Sequence, residues 1–203
     1  MKKNIFSEKC ILLLLTLIAL LLSGIKPADR FIWILEISWI PAGIIVLFAT
    51  NKRFPLTPLL YRLLFIHALI LIVGGYYTYE KVPAGLWAKD FFDFSRNHYD
   101  RIGHFAQGFV PAILAREILI RKSPVNHGRW LFLFVTCICL SFSAFFEMIE
   151  WWVSVSTGEK ANAFLGTQGD IWDTQWDMFM CLVGAISSQI VLCRVHDREI
   201  RKM

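Results

Sequence analysis

At 203 residues, 56% of them hydrophobic and with a mean hydropathy of +0.53, the chain has room for one membrane domain and none for a separate soluble module. Its formal net charge of +5 is the sum of +10 on one side of a membrane and −5 on the other, so it does not call for nucleic acid. The five cysteines, Cys10, Cys137, Cys139, Cys181 and Cys193, all lie in or at the end of apolar stretches and offer neither a disulfide framework nor a thiolate metal motif.

Six apolar stretches predict an all-α polytopic membrane protein, a bundle of six transmembrane helices, because about 20 apolar residues cross a hydrocarbon core of roughly 30 Å. The first, residues 10–25, follows Lys2, Lys3 and Lys9 as a signal peptide would. Its exit, Leu22-Ser23-Gly24-Ile25-Lys26, has no A-x-A-like cleavage site, so the helix is read as retained. The second, 31–50, holds Glu36 and a predicted kink at Pro41. In the third, 59–77, Arg62 is expected to snorkel to the inner headgroups and His67 to be packed and hydrogen-bonded. A long loop, 78–100, carries Leu86-Trp87 and Phe91-Phe92-Asp93-Phe94, clusters that predict a piece lying on the interface, a candidate lid. The fourth span, 102–120, contains Pro111; a loop at 116–129 leads to the fifth, 130–153, and the sixth is 176–195.

Charge orients the bundle. With the N-terminus, the 51–57 turn, the 116–129 loop and the C-terminal tail on one side, that side holds 14 of the 21 basic residues and only Glu8, Glu117, Asp197 and Glu199 of the acidic ones. By the positive-inside rule it is cytoplasmic, which places both termini inside a bacterial inner membrane. Tyr76, Tyr77, Tyr79, Trp87, Tyr99, Trp151, Trp152, Trp172 and Trp176 then mark the outer interface.

Polar residues gather at that outer end with helical spacing. Asp100 and His104 are four apart with Gln107 three further on, Glu147 and Glu150 are three apart, and Asp170, Asp173 and Asp177 are spaced by three and then four, so each set shares a helix face. Counting about 20 residues outward from Arg121, Trp130 and Arg194 lands near Ile102, Ile149 and Thr174, so the sets lie at one depth. Glu36, about a turn and a half inside its span, is placed to join them. Carboxylates gathered beside hydrocarbon need a compensating positive charge: Arg96, Arg101, shared protons or a metal ion. Carboxylate pairs with histidine on bundled helices are how Mg²⁺, Mn²⁺ or Fe sites are built, and the oxygen excess argues against structural zinc. On that reading His104, Glu147, Glu150, Asp170, Asp173 and Asp177 are ligands or their supports. His98, Asp100 and His104 are the catalytic candidates, with His98 or Asp100 as the general base or the group orienting His104. The plain alternative is a solvated acidic rim in which Asp170 or Asp173 caps the sixth helix.

The stretches Arg96-Asn97-His98-Tyr99-Asp100-Arg101-Ile102-Gly103-His104-Phe105, Phe146-Glu147-Met148-Ile149-Glu150-Trp151 and Leu165-Gly166-Thr167-Gln168-Gly169-Asp170-Ile171-Trp172-Asp173-Thr174-Gln175-Trp176-Asp177-Met178 resemble the YjdF family of bacterial inner-membrane proteins, a domain-of-unknown-function family, over essentially the whole chain. That resemblance implies a polytopic cytoplasmic-membrane protein and no particular activity. A fainter one links Asp100-Arg101-Ile102-Gly103-His104-Phe105 to the Asp-Lys-x-x-His-Phe pattern of VanZ-like membrane proteins, with Arg101 in place of Lys and Glu150 where that family tends to have Gln. It implies a role at the cell envelope. The expected function is therefore metal-assisted hydrolysis or transfer on a lipid or envelope precursor. The alternatives are a transporter or cation-binding membrane protein, or a non-catalytic scaffold, with membrane lipids as the partners in each case.

Overall fold

The computed structural model describes residues 2–158, 164 and 166–203, with side chains from residue 8 onward; the side chains of Lys2 and Lys3 and all of Leu165 lie outside it. The described residues form eight helices and no strand: α1 (Lys2–Ser23), α2 (Arg30–Ile37), α3 (Trp39–Thr50), α4 (Pro58–Tyr77), α5 (Pro83–Phe92), α6 (Tyr99–Lys122), α7 (Arg129–Thr157) and α8 (Asp173–Ile200). Helices α2 and α3 are halves of one rod, Arg30–Thr50, interrupted at Ser38. Pro41 accounts for the break: it has no N–H for the carbonyl of Ile37 four residues back, and its ring crowds that carbonyl. Pro111 sits inside α6 without interrupting it.

Among the described residues, four rods are long and apolar enough to cross a membrane: Arg30–Thr50, Pro58–Tyr77, Arg129–Thr157 and Asp173–Ile200. The two further expected spans are also helices, α1 of 22 residues and α6 of 24. Helix α6 is less apolar because it carries His104, Arg116 and Glu117, all buried. It is the central element, packed most extensively on α8 and then on α7 and α4, while α1 and α2 lean on α4. Ala112, Ala115, Leu131, Val135, Cys139, Cys181 and Ala185 form the core where α6, α7 and α8 meet. The outward faces are apolar instead of polar, with Phe48 85% and Ile45 68% exposed, the inversion that lipid contact demands.

Three expectations need correction. Helix α6 runs on to Lys122, so Arg116 and Glu117 are not in a polar loop; both are buried in helix. The 78–100 segment is not a plain loop, since it contains α5, begun by Pro83 and ended by Asp93 in the left-handed region at φ 56. Its exposed Trp87, Phe91 and Phe92 suit a helix lying in the headgroup boundary. His67 lacks the expected hydrogen bond, its buried Nε2 having no partner. Arg62, expected to snorkel, is 53% exposed and pairs with Glu8, Nε donating to Oε1 at 2.6 Å.

Candidate functional site

Two close backbone crossings bring together the ends of α6 and α8 that carry Asp100 and Asp177. A Cβ on Gly108 would overlap the Cys181 carbonyl, and one on Gly184 the Phe105 carbonyl, so the helices touch main chain to main chain. One turn outward from Gly108 stands His104, and two turns outward from Gly184 stands Asp177. Glycine is also required in the loop before α8: Gly166 has φ +63, and a Cβ there would lie 3.1 Å from Asp100 Oδ2.

The site has two layers. The shallower one is built on arginine. Arg96, 4% exposed, donates to Asp173 Oδ1 through Nη1 and to the carbonyls of Gly166 at 2.9 Å and Thr167 at 3.3 Å, with Asp170 at 3.6 Å. Arg101 donates to Asp170 Oδ2 at 2.7 Å and lies 5.2 Å from the ring centre of Trp176. Asp170 also accepts from the Trp172 backbone N–H at 2.9 Å, and that bond with the two guanidiniums holds its carboxyl below the usual carboxylate range. Asn97 and Gln168 exchange hydrogen bonds, Asn97 N–H to Oε1 at 3.0 Å and Nε2–H to the Asn97 carbonyl at 2.9 Å, and this fastens the loop before α8 to the start of α6.

The deeper layer, about 6 Å further in by the four-residue steps from Asp100 to His104 and from Asp173 to Asp177, is histidine among carboxylates. His104 Nδ1 faces Gln107 Oε1 at 2.9 Å, and an amide oxygen only accepts, so Nδ1 carries the proton. The Nε2 lone pair then faces Asp100 Oδ1 at 3.6 Å and Asp177 Oδ2 at 4.0 Å. Those separations are too long for hydrogen bonds. Imidazole and carboxylate together are ligand types that a divalent cation such as Mn²⁺ or Fe²⁺ takes in helix bundles. Ligand atoms of Asp100, His104 and Asp177 all lie within 4.8 Å of one another. Glu147 Oε1, 3.7 Å from His104 Nδ1, and Asp177 Oδ1 are buried without hydrogen-bond partners.

Of the residues singled out from sequence, the fold therefore unites Asp100, His104, Glu147 and Asp177. Glu150 is buried at the same level, with Glu147, Asp100 and Glu36 as neighbours. Asp170 and Asp173 serve the arginines in the shallower layer; Asp170 accepts from the Trp172 N–H ahead of α8, whose N-cap Trp172 has no side-chain cap, so neither aspartate caps the helix. His98 stands apart at the N-cap of α6, its ring edge-on to Phe94 at 5.0 Å. Burial first, then Arg101 and Arg96, lower its pKa. The loop-clamping work of Asn97 and Gln168 was not read from sequence, since polar side chains 71 positions apart carry no local period.

A bundle whose outward faces are apolar and whose polar groups are sequestered inside defines an integral membrane protein of the all-helical kind. The chain belongs to the family described as predicted membrane protein (DUF2238), whose sequence model matches residues 8–198. It is 49% identical over 190 residues to the inner membrane protein YjdF of Escherichia coli (strain K12), covering 94% of this chain and 90% of that relative. No solved structure matches it.

Proposed function

We propose that this protein binds a divalent cation at the outer ends of α6, α7 and α8 and uses it in hydrolysis or transfer on a lipid or envelope precursor. The observation that carries the reading is the convergence of Asp100, His104 and Asp177 within 4.8 Å, with buried oxygens of Asp177 and Glu147 left without partners. Two arginines neutralise Asp170 and Asp173, whereas Asp100, Glu147, Glu150, Asp177 and Glu36 share one imidazole and a guanidinium 3.9 Å from Asp100. Like charges so confined repel unless a cation or protons compensate them. A bound cation supplies Lewis-acid chemistry to a phosphoryl or carbonyl oxygen. The chain's own residues hold the arrangement: Gln107 fixes the His104 tautomer, and Arg96 ties the loop over Asp100.

Thermal unfolding of the protein in detergent tests this. Mg²⁺ or Mn²⁺ at about a hundredfold over its dissociation constant is expected to raise Tm by roughly 5–10 °C, and chelator to reverse the rise. Asp177→Asn and Glu147→Gln should melt at the same temperature with or without metal. A wild type indifferent to metal, with both substituted proteins more stable than it at neutral pH, would reduce the site to a proton-sharing rim. Ion translocation is the second reading, favoured by the fully buried hydroxyls of Ser143 and Ser188, which have no partners. Mn²⁺ uptake into proteoliposomes separates it from hydrolysis.

The same proposal includes six spans, adding α1 and α6 to the four, and both termini in the cytoplasm of a bacterium's inner membrane, supported by the 14-to-7 division of basic residues. A C-terminal fluorescent-protein fusion is expected to glow and an alkaline phosphatase fusion to be silent; the opposite pattern refutes the orientation.

A further inference from the structure

Apart from the carboxylate site, α1, α3 and α4 line a cavity of about 440 Å³. Its mouth is basic. Lys9 sits 4.2 Å from the centre of the Tyr61 ring, and the Tyr61 hydroxyl donates to Asn51 at 2.9 Å, next to Lys52 and Arg53 in the turn. Glu8 is occupied by Arg62, which leaves Lys9 with an aromatic face for a neighbour. Inward the walls turn apolar, with Leu13, Ile44, Phe65 and Leu71. An added Cβ at Gly43 would meet nothing within 4 Å, so that side of the cavity is open space.

Depth and polarity together define an occupant. From Tyr61 to Leu71 is ten residues of α4, about 15 Å, half of a hydrocarbon core of roughly 30 Å. The cavity is therefore one leaflet deep. Within it the buried Nε2 of His67 has no partner. His67 lies six residues below Tyr61 on α4, about 9 Å deeper, since both side chains lean the same way along the helix.

We infer that this cavity is a binding site for an anionic phospholipid of the leaflet on the Lys9 side, one acyl chain filling the apolar shaft and the headgroup at Lys9. An uncharged isoprenoid lipid would leave the basic mouth unmatched. Anionic lipids gain from each nearby cation, whereas a zwitterionic headgroup does not.

Native mass spectrometry of the detergent-purified chain, titrated with phosphatidylglycerol and with phosphatidylcholine of the same acyl chains, reads this directly. One phosphatidylglycerol is expected to bind roughly tenfold or more tighter than phosphatidylcholine. Gly43→Phe, which fills the shaft and changes no charge, should abolish that tight site. Lys9→Gln should erase the preference while phosphatidylcholine binding is unchanged. Equal affinity for the two lipids in wild type, or wild-type phosphatidylglycerol binding by folded Gly43→Phe, overturns the assignment. Should Gly43→Phe not fold, a diazirine on the acyl chain of phosphatidylglycerol decides: adducts on α1, α3 and α4 around His67 support the site, and adducts confined to other helices refute it.

Discussion

Replacing Glu117 with leucine is expected to cost roughly 3–5 kcal/mol of folding stability, the range for stripping one partner from a buried ionic network. Glu117 is wholly buried in α6, at the end of the bundle opposite Asp100 and His104. Its carboxylate accepts from the Thr57 N–H at 3.1 Å, the Thr57 hydroxyl at 2.8 Å, Arg121 at 2.6 Å and His196 Nε2 at 3.0 Å. Arg116 can only donate, and its Nη1 lies 3.0 Å from His196 Nδ1, so Nδ1 accepts and Nε2 carries the proton given to Glu117. Thr57 begins α4 without a side-chain cap of its own; Glu117 and Glu199, which accepts from the Leu59 N–H at 2.8 Å, take that place from α6 and α8. Losing the carboxylate orphans donors from α4, α6 and α8 at once. Glu8→Gln is the control, because the Glu8–Arg62 pair is 36% and 53% exposed and such pairs contribute about 1 kcal/mol or less. Denaturant titration in micelles compares the two, and comparable losses would mean that the Glu117 network is not what joins the three helices.

Gly184→Leu is expected to be as damaging and, in addition, to remove the metal response. An isobutyl group has to displace the Phe105 main chain of α6, which unlike a side chain has no other rotamer to adopt. Overpacking against side chains costs typically 1–3 kcal/mol, and here the obstacle is backbone, so a value at or above the top of that range is expected. Separating α6 from α8 also pulls His104 and Asp100 away from Asp177, so the Tm shift with Mn²⁺ should vanish even where the protein still folds. Gly184→Ala should show both effects in milder form. Gly43→Ala, which meets nothing, should be neutral or stabilising by roughly 0.4–1 kcal/mol. A metal-responsive, stable Gly184→Leu protein would show that the α6–α8 crossing does not position the site.

What local pattern encodes, the sequence revealed well. Each expected span coincides with a helix or, for 31–50, with a pair of helices, because the need to satisfy every backbone group in hydrocarbon leaves an apolar run few other options. Same-face spacing also anticipated that Asp100, His104, Glu147 and Asp177 share one end of the bundle, since a helix converts sequence interval directly into direction and depth. Amphipathic clustering pointed to the interface at 83–92, though not to a helix there, as ten residues between two polar turns leave the period ambiguous.

Hydropathy, helical period and charge asymmetry thus determined by themselves that this is a helical membrane protein with its acids gathered at one end. Only the tertiary structure decided which acids stand together. Asp170 and Asp173 went to Arg96 and Arg101, while Asp177 and Asp100 went to His104, because the crossing at Gly108 and Gly184 sets the register of α6 against α8. The burial of Glu117 against His196, 79 residues away, was equally out of reach of a linear reading. Beside Arg116 and Arg121, Glu117 looked like part of a solvated loop. A charge is worth burying only when its partners are known, and here those partners come from α4 and α8.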